Sequence, residues 1–140
     1  MAGESVKRVV ILDINGDHAL AMRDIVGIAD TKIIYVQDDF PAGIREAIAW
    51  KPDIILMSLQ VDDDLPGVHD AIKAASDLGI TLVAAKGNKN WFLDRFKKEL
   101  GHEGHGYYPA KYPEVITVGG KDKRGSSYDA ASYVKGLSNG

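Results

Sequence analysis

The stretch Lys51-Pro52-Asp53-Ile54-Ile55-Leu56-Met57-Ser58-Leu59 decides the fold class of this chain. Its apolar part is nearly continuous instead of alternating with polar residues, and turn-forming and charged residues bound it. A strand that is covered on both faces has this pattern, because neither of its sides meets water. The stretch therefore predicts an inner strand of a parallel sheet.

Similar apolar runs recur along the chain, and segments with helical spacing separate them. The strands are predicted near residues 7–12, 32–37, 53–59, 80–85 and 115–119. The helices are predicted at residues 19–28, 42–50 and 68–78, with a shorter one at 91–100. Gly79 follows the third helix where a C-cap glycine is expected. This alternation predicts a three-layer α/β fold, with a doubly wound parallel sheet of about five strands in the order 2-1-3-4-5.

The composition indicates one globular domain over residues 1–140. Hydrophobic residues make up 45% and charged residues 26%, as in folded soluble proteins. A formal charge of -3 lacks the basic footprint of nucleic-acid binders, and no apolar segment suits a membrane span or a secretion signal. Without cysteine there is neither a disulfide framework nor a thiolate metal site. We expect a cytoplasmic protein with no cofactor, no nucleic-acid partner and an irregular polar tail from about residue 121.

Four segments resemble, in order, segments of the subtilisin-like serine peptidases. Val10-Ile11-Leu12-Asp13 is similar to the strand that carries the family's triad aspartate, and the stretch from residue 51 to 59 resembles its Asn-Met-Ser-Leu-Gly strand. Residues 79–88, ending in Val83-Ala84-Ala85-Lys86-Gly87-Asn88, resemble the Val-Ala-Ala-Ala-Gly-Asn strand. The most specific match is the stretch from Tyr108 to Asp122, which follows the family pattern Tyr-Pro-Ala-x-Tyr-Pro-x-Val-Ile-x-Val-Gly-Ala-x-Asp. The resemblance reaches to about residue 127 and implies a subtilisin-like fold.

This resemblance also implies a set of site residues. Asp13 corresponds to the triad aspartate and Asn88 to the oxyanion-hole asparagine, while Met57, Ser58 and Leu59 correspond to a strand that lines the substrate groove. The family's His-Gly-Thr-His helix start is absent, but His18 follows Asp13 after four residues and is placed to open the first helix. His18 is therefore the candidate for the triad histidine.

The family's nucleophile is the residue that this sequence lacks most clearly. Its Gly-Thr-Ser-Met-Ala motif lies well beyond the Val-Ile-x-Val-Gly strand, where this chain has already ended. Ser138 lies in a Gly-x-Ser-x-Gly pattern, but no helix follows it to hold a nucleophile elbow. Ser126, Ser127 and Ser132 are not predicted to serve either. We therefore interpret Asp13, His18 and Asn88 as vestigial positions.

Two metal sites are conceivable from the sequence. Aspartates follow the first three strands and would gather at one rim of the sheet, where they could hold Mg²⁺ or Ca²⁺: Asp13, Asp17, Asp38, Asp39, Asp62, Asp63 and Asp64. His102 and His105 flank Glu103 in a glycine-rich loop. Neither group has an established ligand spacing, so a solvated acidic edge and histidines without a function are favoured, and no metal is expected.

The leading hypothesis is a non-catalytic domain that binds a protein or serves as a structural component of an assembly. A shortened sheet leaves an edge that invites a partner protein or a second copy. One alternative is a serine peptidase-like hydrolase completed by a residue from another chain or by a metal-bound water. Another is a receiver-like or metal-binding α/β domain, although the receiver phosphoacceptor would fall at Ser58, which has no carboxylate.

Overall fold

Five parallel strands form the central sheet of the computed structural model, which describes residues 8–61, 63–85, 108–119 and 126–138. The strands are β1 (Arg8–Asp13), β2 (Asp30–Tyr35), β3 (Ile54–Met57), β4 (Thr81–Ala85) and β5 (Ile116–Val118). Their order is β2-β1-β3-β4-β5, and all four pairings are parallel. The predicted fold class and strand order are confirmed.

Four described helices cover the two faces of the sheet: α1 (Gly16–Val26), α2 (Phe40–Ala49), α3 (Val68–Asp77) and α4 (Ser126–Ser138). One buried cluster joins α2 and α3 to the sheet through residues such as Ile44 and Ile72. A second cluster joins α1 and α4 to the opposite face through Met22, Ala131 and Val134. Both sides of β1 and β3 are therefore covered, which explains their continuous apolar runs.

The sequence itself explains where α1 begins and ends. The Asn15 side chain accepts a hydrogen bond from the backbone N–H of His18, so the helix starts at Gly16, three residues before the predicted start. The helix ends at Val26, and the C-cap residue Gly27 has a φ of 67°, in the left-handed region that glycine adopts without a steric penalty. This early start places His18 inside the first turn.

The expected irregular tail is wrong over residues 126–138, because these residues form α4. Ser132 and Lys135 are exposed, whereas Ala130, Ala131 and Val134 share the buried face. Spacings of three and four residues put these small side chains on one stripe of a helix. The prediction failed because the polar composition of this segment hid its narrow apolar stripe.

The predicted helix at residues 91–100 lies outside the described residues. Of the described helices, none is both long and apolar enough to cross a bilayer.

Candidate functional site

The candidate site lies at the carboxyl ends of β1 and β3. The winding of the sheet reverses between these two strands, and α/β folds bind their ligands at such a switch point. Asp13 is the last residue of β1, and Ser58 directly follows β3. The α1 helix starts three residues after Asp13, so its first turn faces the same end of the sheet.

The Asp13 carboxylate is buried, and both of its oxygens have hydrogen-bond partners. Its side chain is 1% exposed, and Oδ1 accepts hydrogen bonds from the backbone N–H groups of Ile14 at 2.7 Å and Asn15 at 3.2 Å. Its Oδ2 lies 2.6 Å from Nδ1 of His18. The two backbone donors fix the carboxylate plane, and the remaining oxygen is aimed at the imidazole.

The His18 ring is held in the orientation that a general base needs. An ionised Asp13 can only accept a hydrogen bond, so Nδ1 of His18 carries the proton and Nε2 is left as the acceptor in the neutral ring. The hydrogen bond to Asp13 raises the pKa of His18, burial opposes this effect, and the charge of Asp13 adds to it. The side chain of His18 keeps 27% exposure, so the ring can be reached from outside.

Helix α4 contacts this pair. The ring of Tyr128, in the first turn of α4, meets the His18 ring edge to face, with centroids 6.2 Å apart and an angle of 76° between the ring planes. Ser126 and Ser127 precede Tyr128 in the same turn. Sequence reasoning missed this neighbour, although the apolar spacing of Ala130, Ala131 and Val134 was the signal for the helix that carries it.

The side chains of the three groove candidates, Met57, Ser58 and Leu59, do not all face the same side of the sheet. Met57 and Leu59 are buried in the cluster beneath α2 and α3, so the structure does not bring their side chains to the Asp13–His18 pair. Ser58 lies between them and donates its backbone N–H to the carbonyl of Leu12 at 2.8 Å. Because side chains alternate along a strand, Ser58 faces the same side as Asp13. Its Oγ is buried and has no hydrogen-bond partner among the described residues.

The metal candidates find other partners or lie outside the described residues. Asp39 caps α2 by accepting from the N–H of Ala42, and Asp64 accepts from the hydroxyl of Tyr112. In the part of the chain that the structure describes, no group of three or more His, Asp or Glu side chains is arranged for a metal ion. Asp62, Asn88, His102 and His105 fall outside the described residues.

A second polar cluster, which the sequence did not indicate, lies on the α3 side. Nε2 of His69 is 3.0 Å from Oε1 of Glu114, and the His69 ring stacks on Tyr112 with centroids 4.3 Å apart. Burial and the hydrogen bond to Asp64 raise the pKa of Tyr112. Two backbone hydrogen bonds between Val61 and Tyr108 join the same two segments. The cluster therefore ties the segment that follows β3 to the one that precedes β5.

Comparisons with known proteins identify proteins of similar sequence. The chain is 44% identical over 77 residues to an intracellular serine protease of Paenibacillus polymyxa, covering 55% of this chain and 22% of the relative. The major intracellular serine protease of Bacillus subtilis (strain 168) is 42% identical over 77 residues, with the same coverage of 55% and 22%. This chain thus spans about a fifth of the length of either relative.

A solved structure has a similar fold. The crystal structure of a psychrophilic subtilisin-like protease from the Antarctic psychrotroph Pseudoalteromonas sp. AS-11 superimposes with a TM-score of 0.59 at 15% identity, over 84% of this chain and 37% of that one. The family model described as the subtilase family matches residues 25–139, which include α4. The chain belongs to the subtilase family.

Proposed function

We propose that this chain is a serine-type hydrolase domain in which the Asp13–His18 pair is the general base and a hydroxyl in the first turn of α4 is the nucleophile. One observation carries the proposal: His18 is bonded through Nδ1 to a buried carboxylate, while Tyr128 of that first turn lies against its ring. Its relatives are serine proteases, which supports a peptide as the substrate. The proposal replaces the non-catalytic hypothesis as the leading one, because a serine-bearing helix occupies the region where an irregular tail was expected.

Ser126 and Ser127 are the candidate nucleophiles. Both belong to the first turn of α4, one and two residues before Tyr128. In sequence, Gly125-Ser126-Ser127 is similar to the Gly-Thr-Ser order of the family's nucleophile motif, with Ser126 in the place of threonine and Tyr128 in the place of methionine. The position at the beginning of a helix also suits an attacking oxygen, because the helix dipole stabilises negative charge there.

The chemistry follows from the free nitrogen of His18. Nε2 takes the proton of the serine hydroxyl while the oxygen attacks the substrate carbonyl carbon, and the carbonyl electron pair moves to its oxygen. Asp13 stabilises the imidazolium that forms, and Nε2 then gives the proton to the leaving amine. Water repeats the sequence on the acyl group and regenerates the serine. Asn88 would hold the oxyanion, as the family resemblance implies.

Labelling with a fluorophosphonate, followed by mass spectrometry of the modified peptide, tests the proposal. We expect stoichiometric adduct on Ser126 or Ser127, lost in His18→Ala and in the alanine variant of the labelled serine. Ser132→Ala removes an exposed serine of the same helix and is the matched control, so its labelling should be unchanged. Unlabelled native protein, or label that persists in His18→Ala, would contradict the hydrolase proposal.

A second candidate function is a non-catalytic domain that acts through protein binding, as a homo-oligomer or as a structural component of an assembly. Its support is that β5 ends the described sheet on one side. A residue from another chain could complete the site of such a domain. Unlabelled protein that elutes as an oligomer in size-exclusion chromatography with light scattering would favour this candidate.

We also propose a cytoplasmic location. Two of the relatives are named intracellular serine proteases, although a third, 35% identical over 82 residues, is named a minor extracellular protease of Bacillus subtilis (strain 168). Fractionation of cells that express the tagged native gene tests this location.

A further inference from the structure

A closed cycle of hydrogen bonds within residues 13–18 holds the Asp13–His18 pair. The backbone N–H of Asn15 donates to Oδ1 of Asp13 at 3.2 Å, and Oδ1 of Asn15 accepts from the backbone N–H of His18 at 3.0 Å. The cycle closes between Nδ1 of His18 and Oδ2 of Asp13, which lie 2.6 Å apart. Asn15 therefore links the carboxylate of one member of the pair to the backbone of the other.

The backbone carbonyl of Asn15 makes a further bond to α1. It accepts from the N–H of Ala19 at 2.9 Å, so Asn15 holds two consecutive N–H groups in the first turn of the helix. The first N–H groups of a helix have no partner within the helix, and a capping side chain keeps this turn from fraying. His18 lies in this turn, so Asn15 fixes the backbone from which the imidazole projects.

The orientation of the imidazole depends on that backbone position. Nδ1 of His18 carries the proton and Nε2 stays free only while the ring remains on the Asp13 carboxylate. A hydrogen bond weakens steeply once its angle departs from linear, so a small displacement of the first turn would weaken this contact. The acid–base pair therefore needs a fixed helix start as well as its two titratable groups.

The connection between β1 and α1 is specific to this chain. The His-Gly-Thr-His helix start of the subtilase pattern is absent, and only four residues separate Asp13 from His18. Asn15 lies within this short connection and is exposed, so it contributes polar contacts and not packing in the core. A change of its side chain would leave no cavity in the protein.

We infer that Asn15 is a positioning residue for the reaction: it holds the first turn of α1 so that His18 stays on Asp13 with Nε2 free. The inference rests on the proposed function and deepens it, because it names the residue that keeps the general base in its working orientation. Asn15 acts through His18 and does not touch the reacting atoms.

NMR of isotope-labelled native protein and variants tests the inference without requiring hydrolysis. In Asn15→Ala the pKa of His18 should fall, because its hydrogen bond to Asp13 raises that pKa above the ordinary value of 6.5. The low-field signal of the Nδ1 proton, which a hydrogen bond to a carboxylate produces, should weaken or disappear. The described titratable neighbours of His18, namely Asp13, Asp17 and Tyr128, are unchanged in this variant, so a lower pKa reports a changed orientation.

Three further variants separate the orientation of His18 from the stability of a helix. Asn15→Ser retains an N-cap oxygen and should restore the pKa and the low-field signal, whereas Asn15→Gly removes the acceptor but keeps a residue tolerated at an N-cap. It replaces Asn15→Ala if that variant does not fold. Asp39→Ala is the matched control, because Asp39 caps α2 through the same kind of bond, to the N–H of Ala42 at 3.0 Å. This control should lower the urea midpoint as Asn15→Ala does, but leave the His18 signals unchanged.

Three results would overturn the inference. They are native His18 signals in both Asn15→Ala and Asn15→Gly, an equal change of these signals in Asp39→Ala, and failure of Asn15→Ser to restore them.

The rate of fluorophosphonate labelling gives a second readout. We expect it to fall about tenfold or more in Asn15→Ala, part of the roughly 10²- to 10⁴-fold that a positioned general base contributes, and to stay native in Asp39→Ala. If no serine is labelled but the His18 signals change as expected, the hydrolase proposal falls and Asn15 still sets the state of the pair. If labelling depends on His18 but is native in Asn15→Ala, the hydrolase stands and the inference falls.

Discussion

At the scale of single residues, Asp13 and His18 depend on each other. Asp13 is held by two backbone N–H groups and a histidine, and His18 gains its orientation from the remaining carboxylate oxygen. A buried carboxylate without such partners would be costly to ionise. The backbone N–H groups of Ile14 and Asn15 therefore stabilise the buried Asp13 carboxylate that holds His18. They are directed at this carboxylate because the chain turns sharply where β1 ends.

The pair should make stability depend on pH. Asp13 raises the pKa of His18 above its ordinary value of 6.5 in the folded chain. The stabilisation is therefore fully present below about pH 6.5 and is lost as the pH rises through the folded pKa. We expect the difference in unfolding free energy between native protein and His18→Gln, measured by urea denaturation, to shrink from about pH 6 to about pH 9.

A direct titration provides the control. The pKa of His18, followed by NMR of its ring protons, should fall in Asp13→Asn, because asparagine keeps the shape of the side chain and removes its charge. His69 lies in the other polar cluster, so the chemical shifts of its ring protons at a fixed pH should be the same in native protein and in this variant. An unaltered His18 pKa would show that Asp13 is not the source of the shift.

The buried hydroxyl of Ser58 is expected to lower the free energy of unfolding. Its buried Oγ has no partner among the described residues, and an unsatisfied buried hydroxyl costs about 1–3 kcal/mol. Ser58→Ala should therefore leave the free energy of unfolding unchanged or raise it by about 1 kcal/mol, as measured in urea. A loss of stability beyond that of the exposed control Ser132→Ala would show that the hydroxyl has a partner.

At the scale of elements, α4 links the core to the site. Its buried residues Ala130, Ala131 and Val134 pack in the cluster shared with α1, and its first turn meets His18 through Tyr128. The docking of this helix therefore decides whether Ser126 and Ser127 are near the base. Small residues allow α4 to approach the sheet closely, so a larger or charged side chain on this stripe would displace it.

Two neighbouring positions of α4 test this link. Ala131 is fully buried and Ser132 is exposed, so Ala131→Asp and Ser132→Asp introduce the same charge in opposite environments. We expect Ala131→Asp to cost about 3–5 kcal/mol in urea denaturation, the scale of an uncompensated buried charge, and Ser132→Asp to cost less than about 1 kcal/mol. Similar costs for both variants would contradict the docking of α4 on the sheet.

At the scale of the whole molecule, the sheet has an inner part and two outer strands. β1 and β3 are covered by helices on both faces and paired on both sides, and residues such as Ile11 and Leu56 are fully buried. β5 is shorter, and its Ile116 is 38% exposed. Opening of the structure should therefore begin at the sides of the sheet.

Native-state hydrogen exchange tests this order of stability. The amides of Val10, Ile11, Ile55 and Leu56 should exchange only through global unfolding, with free energies of about 5–15 kcal/mol, and those of β5 through smaller local openings. Equal protection of Thr117 and Leu56 would mean that something else protects the β5 side. That result would support the protein-binding candidate if the protection increased with protein concentration.

The sequence by itself determined the fold class, the strand order and the position of Asp13. Continuous runs of Val, Ile and Leu leave few arrangements other than a covered parallel sheet, and right-handed crossovers restrict the order of its strands. A strand that ends in aspartate necessarily brings that residue to the carboxyl edge. These features follow from the pattern of neighbouring residues along the chain, so that pattern was sufficient to predict them.

Only the tertiary structure decided the contacts of the site. The hydrogen bond between Asp13 and His18 needs the tight turn and the early start of α1, which Asn15 sets by capping the helix. The contact of His18 with Tyr128, and the burial of the Ser58 hydroxyl without a partner among the described residues, arise from packing between elements far apart in sequence. Such contacts depend on the relative placement of helices and strands to within a few ångströms, which residue patterns do not encode locally. For this reason the sequence alone located Asp13 and His18, and only the structure showed that α4 contacts them.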